Sequence, residues 1–183
     1  MTYPIDIAGL HRELPICPVT DNLSIGAFVI FGDVELTIHA AKELLARAPE
    51  FDYLIAPEAK AIPLVYEMSR QCGVQYLLAR KKPKAYMSGV FEVRVQSITT
   101  AGEQTLVIDT ADAEKMKGKR IAIVDDVIST GESLRATEEL VKKAGGIIVA
   151  KLAVLAEGDA IDRKDITVLA PLPLFNPDGT VKG

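Results

Sequence analysis

The chain alternates between short apolar runs, which predict strands, and longer stretches in which apolar positions have helical spacing. Runs with the length of buried strands lie at residues 25–31, 51–56, 74–79, 121–124, 147–155 and 166–169. Helices are predicted where apolar side chains recur every three or four positions, at residues 34–48, 62–72 and 134–144. This alternation predicts an α/β fold with a Rossmann-like, mainly parallel sheet and helices on both of its faces.

Cap residues define the ends of these helices. Asp33 is placed to cap the first helix, and Pro63 fits only the first turn of the second. Gly145 and Gly146 end the third helix. Residues 57–61 therefore form a loop after a strand, at the edge where α/β sheets bind ligands.

The remaining segments carry weaker patterns. Residues 87–105 predict a mobile β-hairpin with a polar tip at 97–102, and a strand resumes at 106–108. Prolines make residues 12–18 a loop or an edge segment, within an irregular region that precedes the first helix. Residues 112–118 are predicted to be a polar connector, and further prolines make the C-terminal tail extended.

Composition narrows the class of protein. At 183 residues, 49% of them hydrophobic, the chain predicts a single domain over residues 1–183. The net charge of −4 argues against nucleic acid or an anionic membrane surface as the main partner. Cys17 and Cys72 lack metal-site spacing, and the first residues do not resemble a signal peptide. A reducing, cytoplasmic compartment is expected.

The chemistry concentrates after the strand at residues 121–124. A strand that enters a helix through a turn of small residues presents backbone N–H groups to a phosphate, and Ser129, Thr130 and Ser133 add hydroxyl groups. Asp125 and Asp126 precede the turn and can accept hydrogen bonds from sugar hydroxyls or hold Mg²⁺ through water. A phosphate beside a diol describes a ribose 5-phosphate.

Two simpler interpretations compete with this one. Ser129-x-x-Glu132 fits a capping box, which needs no ligand, and adjacent acids often lie in a solvated loop.

Cations also cluster in a second segment, at Arg80, Lys81, Lys82 and Lys84. Alone, that run is typical of a solvated surface, but after a strand beside a phosphate turn it fits a pyrophosphate clamp.

Residues 124–133 resemble the signature of the type I phosphoribosyltransferases, which use 5-phosphoribosyl 1-pyrophosphate (PRPP). The resemblance covers about residues 51–155 and is nearest to the adenine and xanthine enzymes. It implies Mg²⁺-dependent transfer of the phosphoribosyl group to a nucleobase, with adenine in purine salvage favoured, and a homodimer. Xanthine, hypoxanthine or orotate as the acceptor, or a non-catalytic PRPP-binding regulator, are the alternatives.

The resemblance also implies roles for particular residues. Asp125 and Asp126 would be catalytic, holding the ribose diol and, through water, a Mg²⁺ ion bound mainly by PRPP. The 5-phosphate would be bound by Ser129, Thr130, Gly131, Glu132 and Ser133. The pyrophosphate would be bound by Glu58, Ala59, Lys60, Arg80, Lys81 and Lys84. A flexible loop at about residues 82–105 would close over PRPP and exclude water.

Three details of the resemblance bear on specificity. Lys60 and Ala61 stand where adenine enzymes carry arginine and glycine, and the family's cis peptide would fall at Glu58–Ala59. Ser129 is neutral, which counts against the hypoxanthine–guanine class. A hood built from about residues 1–31 and 158–183 would hold the base, and the candidate contacts, each equally suited to the core, are Ile128, Leu14, Phe28 and Leu174.

Overall fold

The fold is that of a computed structural model, which describes residues 1–96 and 103–182. In chain order the described residues form β1 (Thr2–Ile7), β2 (Leu10–Thr20), β3 (Leu23–Gly26), α1 (Val34–Arg47), β4 (Tyr53–Pro57), α2 (Ile62–Cys72), β5 (Tyr76–Ala79), β6 (Val90–Gln96), β7 (Glu103–Asp109), α3 (Thr110–Met116), β8 (Arg120–Ile128), α4 (Glu132–Lys143), β9 (Ile147–Glu157), a 3₁₀ turn (Gly158–Asp162), β10 (Thr167–Leu172) and β11 (Leu174–Phe175).

A parallel sheet with the strand order β10-β9-β8-β4-β5 forms the centre of the molecule. Side chains of β8 alternate between its two faces. Ile121 and Ile123 pack into the cluster that holds α3 and α4, whereas Ala122 and Val124 pack into the cluster that holds α1 and α2. The predicted α/β sheet with helices on both faces is confirmed.

The two chain ends form a second, antiparallel sheet with the order β1-β2-β3-β11. Leu174 and Phe175 pair with β3, and the ring of Phe175 contacts that of Tyr3 edge-on at 5.0 Å between centroids. Residues 12–18, predicted as loop or edge, lie in β2. The prolines are tolerated there because β2 pairs with β1 through Pro15 and with β3 from Ile16 onward, so each half keeps one open side.

Two further segments differ from the prediction. The apolar run 25–31 is a strand only as far as Gly26. Phe28 and Ile30 lie outside any strand, and their side chains are buried in the core, which accounts for the apolar pattern. Residues 112–118 are largely helix α3, capped by Asp109, whose side chain accepts a hydrogen bond from the N–H of Ala111 at 3.1 Å. This helix is too short to show a helical period, although Ala113 and Met116 are buried.

Strands β6 and β7 form the predicted antiparallel hairpin, in register from Val90 opposite Asp109 to Gln96 opposite Glu103. The predicted tip at residues 97–102 lies outside the described residues. Residues 106–108 belong to the second strand of this hairpin and do not form a strand of their own. The hairpin joins the central sheet through Arg80 and Val107, whose backbones exchange hydrogen bonds of 2.8 and 2.7 Å.

Within residues 1–96 and 103–182, no helix has the length and apolar character that crossing a bilayer requires.

Candidate active site

The acid pair lies inside strand β8, which pairs with β9 along most of its length. The sequence ended this strand at Val124, but β8 continues to Ile128, with Asp125 opposite Ala153 and Ile128 opposite Ala156 of β9. Asp125 and Asp126 are therefore 7% and 6% exposed, and do not form a solvated loop. Because β8 stays paired with β9 as far as Ile128, both carboxylates are held in fixed positions close to the turn that follows.

Burial gives the pair an unusual electrostatic state. Burial and then the neighbouring charge of Asp126 raise the pKa of Asp125 to about 8, and the positive charge of Lys60 opposes that rise. Asp125 Oδ1 accepts a hydrogen bond of 2.9 Å from the N–H of Asp126, whereas Asp126 Oδ2 is buried without a partner in the described chain. Hydroxyl donors or a cation would satisfy that oxygen.

The turn after β8 is open at the helix start. Helix α4 begins at Glu132 behind Gly131, which has φ of +76° and no side chain to cap the helix. The proposed capping box does not form, because the helix starts too late for Ser129 to occupy the cap position. The N–H of Glu132 donates a long hydrogen bond of 3.5 Å to Thr130 Oγ1. The turn thus presents backbone N–H groups at a helix N-terminus, as a phosphate site requires.

A cation that the sequence did not point to lies against this turn. A Cβ atom added to Gly131 would stand 2.8 Å from Nη1 of Arg163. Two hydrogen bonds of 2.9 and 2.8 Å from Arg163 to Asp165 orient the guanidinium, and Lys151 bridges Asp165 at 2.8 Å to Glu138 of α4. The bonds to Asp165 raise the pKa of Arg163. No local motif surrounds Arg163, so only the fold reveals its position.

The loops after β4 and β5 lie side by side because these strands are neighbours in the sheet. The expected cis peptide Glu58–Ala59 is confirmed. Glu58 accepts hydrogen bonds from Arg80 Nη1 at 3.0 Å and from the N–H of Lys81 at 2.9 Å. Burial raises the pKa of Glu58, but the bond from Lys81 and the charges of Arg80 and Lys84 outweigh it and lower that pKa overall.

These contacts give Glu58 a supporting position. Because a carboxylate repels pyrophosphate, Glu58 is unsuited to contact it directly. Its hydrogen bonds to Arg80 and to the backbone of Lys81 instead hold the start of the basic segment in place. Lys60, Lys81 and Lys84 are exposed. The structure thus places the candidate pyrophosphate residues on adjacent loops, and Lys60 is near enough to the acids to affect the pKa of Asp125.

A cavity of about 440 Å³ extends from the turn toward the chain ends. Ser129 and Thr130 line one side, and Glu157, Ala160, Arg163 and Leu174 are among the residues that line the rest. Of the suggested base contacts, Leu174 lies here, whereas Leu14, Phe28 and Ile128 are 6%, 5% and 2% exposed within the core clusters. Core packing accounts for those three, and a base contact from them stays a prediction.

The model for the phosphoribosyl transferase domain matches residues 34–170, most of the chain. The chain belongs to the phosphoribosyltransferase family. The predicted family and enzyme class are thereby confirmed. The adenine phosphoribosyltransferase of Thermotoga maritima is 37% identical over 85% of this chain and 87% of its own length. The hypoxanthine/guanine phosphoribosyltransferase of Methanococcus voltae is 29% identical over 92% of this chain and 84% of its own length.

Solved structures agree on the fold. The adenine phosphoribosyltransferase of Thermoanaerobacter pseudethanolicus superposes with a TM-score of 0.70 at 22% identity, covering 86% of this chain and 95% of that one. The enzyme of Giardia lamblia, solved with 9-deazaadenine, gives 0.66 at 15% identity, covering 93% of both chains. At these identities the likeness establishes that this phosphoribosyltransferase has the family fold.

The family implies Mg²⁺, and the acid pair is where the chain could contribute to holding it. Within residues 1–96 and 103–182, no three His, Cys, Asp or Glu side chains group as a metal site. Asp126 Oδ2 is buried and without a partner in that part of the chain. It could accept a hydrogen bond from a water bound to a Mg²⁺ ion that is held mainly by substrate oxygens. The acid pair of this phosphoribosyltransferase therefore fits Mg²⁺ bound mainly through PRPP.

Proposed function

We propose that this phosphoribosyltransferase transfers the 5-phosphoribosyl group of PRPP to adenine, in purine salvage, and releases pyrophosphate. The observation that carries the proposal is the buried acid pair, one oxygen of which has no partner among the described residues, followed within one turn by the N-terminus of α4 at Gly131. The ribose 5-phosphate would lie across this junction, with its phosphate on the N–H groups of residues 131–133 and its diol on Asp125 and Asp126.

The proposed chemistry is electrostatic and needs no protein nucleophile. Positive charge develops on the ribose ring as the bond from C1 to pyrophosphate lengthens, and the buried carboxylates face that charge in a low dielectric. Lys60, Arg80, Lys81 and Lys84 stabilise the departing pyrophosphate. Mg²⁺, when bound, supplies further positive charge for the pyrophosphate oxygens. The hairpin segment excludes water, so that the base and not water attacks C1.

Adenine is the favoured acceptor for two reasons. Adenine phosphoribosyltransferases of three Thermotoga strains are 34–37% identical, two other adenine enzymes are 28% identical, and hypoxanthine/guanine relatives are 27–29% identical. Ser129 also leaves a neutral residue at the position where the resemblance leads us to expect an aspartate in the hypoxanthine–guanine class. Homodimer formation and a cytoplasmic location stay predictions from the resemblance and the composition.

The test is pyrophosphate release from PRPP and Mg²⁺ with adenine, hypoxanthine, guanine, xanthine, orotate and uracil supplied separately. Release with adenine supports the proposal. Release with another base corrects the acceptor and keeps the reaction. PRPP binding without release for any of the six would favour the alternative, a PRPP-binding regulator that retains the fold without catalysis.

A further inference from the structure

One buried carboxylate near the turn has no role in the transfer chemistry. Glu157 is the last residue of β9, is 9% exposed, and lines the 440 Å³ cavity together with Ser129 and Thr130. Across residues 1–96 and 103–182, its carboxylate has no hydrogen-bond or ion-pair partner. Arg163 lines the same cavity but its guanidinium is bonded to Asp165.

Within the described residues, the carboxylate of Glu157 faces the cavity and is not sealed in the core, so its oxygens can accept hydrogen bonds from a ligand bound there. Phosphate and pyrophosphate cannot supply such bonds, because they are anions and would be repelled. The ligand group beside Glu157 must therefore be neutral or cationic and carry N–H or O–H donors. Within a nucleotide, the ribose hydroxyls and the base provide such donors. The hydroxyls are already assigned to Asp125 and Asp126 in the proposed function, which leaves the base for Glu157.

The rest of the cavity fits a base. Leu174 and Ala160 contribute apolar surface on which an aromatic ring can rest, and Ser129 and Thr130 connect the cavity to the phosphate turn. Glu157 thus lines the same space as Ser129 and Thr130, which belong to the turn where the ribose 5-phosphate is proposed to bind.

We propose that Glu157 accepts a hydrogen bond from the 6-amino group of the acceptor purine and so selects 6-amino over 6-oxo bases. This inference rests on the proposed function, whose adenine acceptor carries that amino group. An ionised carboxylate is an acceptor only, so a 6-oxo group placed there meets electrostatic repulsion. Glu157 is a specificity-determining residue in this account, with no part in the bond-making step.

The experiment compares Glu157→Gln with the wild-type chain, using kcat/KM for adenine and for hypoxanthine. Glutamine keeps the shape of the side chain but adds an amide NH₂ group, which can donate a hydrogen bond to a 6-oxo oxygen. We expect the adenine-to-hypoxanthine ratio to fall by about tenfold or more, with the KM for PRPP unchanged. Asp162→Asn is the control, because Asp162 is an exposed acid of the neighbouring 3₁₀ turn and lies outside the residues that line the cavity in the described chain; its ratio should stay at the wild-type value.

A second readout does not depend on turnover. Calorimetric binding of adenosine 5-monophosphate and inosine 5-monophosphate measures the same preference, and Glu157→Gln should shift it toward the inosine nucleotide. An unchanged preference in both assays would overturn the role of Glu157. Loss of guanine use in the variant, with guanine the best wild-type base, would also overturn it, because the carboxylate would then accept from N1–H and the 2-amino group. Absence of pyrophosphate release with every base would instead contradict the proposed function.

Discussion

The two ends of the candidate site handle charge in opposite ways. At the β8 end, Asp125 and Asp126 are nearly inaccessible and one oxygen has no protein partner in the described chain. At the β4–β5 end, Lys60, Lys81 and Lys84 are exposed, and Glu58 fixes the segment through Arg80 and the Lys81 backbone. Buried charge acts at short range in a low dielectric, whereas exposed charge is screened by water and salt. The acids should therefore dominate catalysis, and the lysines should adjust it.

The largest expected effect comes from removing the buried charges. The double change Asp125→Asn and Asp126→Asn should lower kcat for pyrophosphate release by about 10³-fold or more, because the developing positive charge loses its carboxylates. The melting temperature should stay the same or rise, since burial disfavours the ionised form of Asp125. Turnover assays and thermal melts check both, with exposed Asp21→Asn as the control. Retained turnover would remove the acids from the mechanism.

A smaller but still large effect is expected at the turn. Gly131→Ala places a Cβ at φ of +76° and 2.8 Å from Arg163, so the turn must shift and PRPP affinity should fall by about tenfold or more. Gly73→Ala is the matched control, because Gly73 has φ of +73° with nothing within 4 Å of an added Cβ. Both should lose about 1 kcal/mol of stability. Equal PRPP binding by the two variants would show that the turn does not bind the phosphate.

Moderate, salt-sensitive effects are expected from the exposed cations. Lys81→Gln and Lys84→Gln should each raise the KM for PRPP by about three- to tenfold at low salt, with the difference shrinking as ionic strength rises. Lys82→Gln is the control within the same run, since Lys82 is outside the candidate set and is also exposed. Identical losses for all three lysines would mean that the run acts only through net charge.

The smallest effect is expected at Asp33, a carboxylate that forms an ion pair with an arginine, unlike Asp125 and Asp126. Asp33 caps α1 and binds Arg12 Nε at 2.7 Å, and the bond from Arg12 lowers the pKa of Asp33. Its contribution is complete above the ordinary aspartate pKa and is lost as pH falls through the lower folded value. Asp33→Ala should cost about 1 kcal/mol at neutral pH and progressively less below pH of about 4. Urea unfolding at several pH values measures this difference, and a pH-independent loss would contradict the pairing.

Much of the fold could be predicted because its signals are local. The apolar runs of β4, β5, β8 and β9 and the helical spacing of α1, α2 and α4 are visible within short windows. Helix α3 was missed because its seven residues bury only Ala113 and Met116, too few to establish a period. Residues 12–18 were predicted only as a loop or an edge, because their prolines leave strand β2 undecided unless the partner of each half is known.

The candidate site divides in the same way. The sequence alone determined the acid pair, the small-residue turn and the cationic run, because each is a contiguous motif whose chemistry can be read from its own residues. Only the tertiary structure decided that β8 buries both acids, that Arg163 lies against Gly131, and that Glu157 lines the cavity. Burial and pairing depend on which distant segments pack together, and that information resides in the packed sheet and in the meeting of the chain ends.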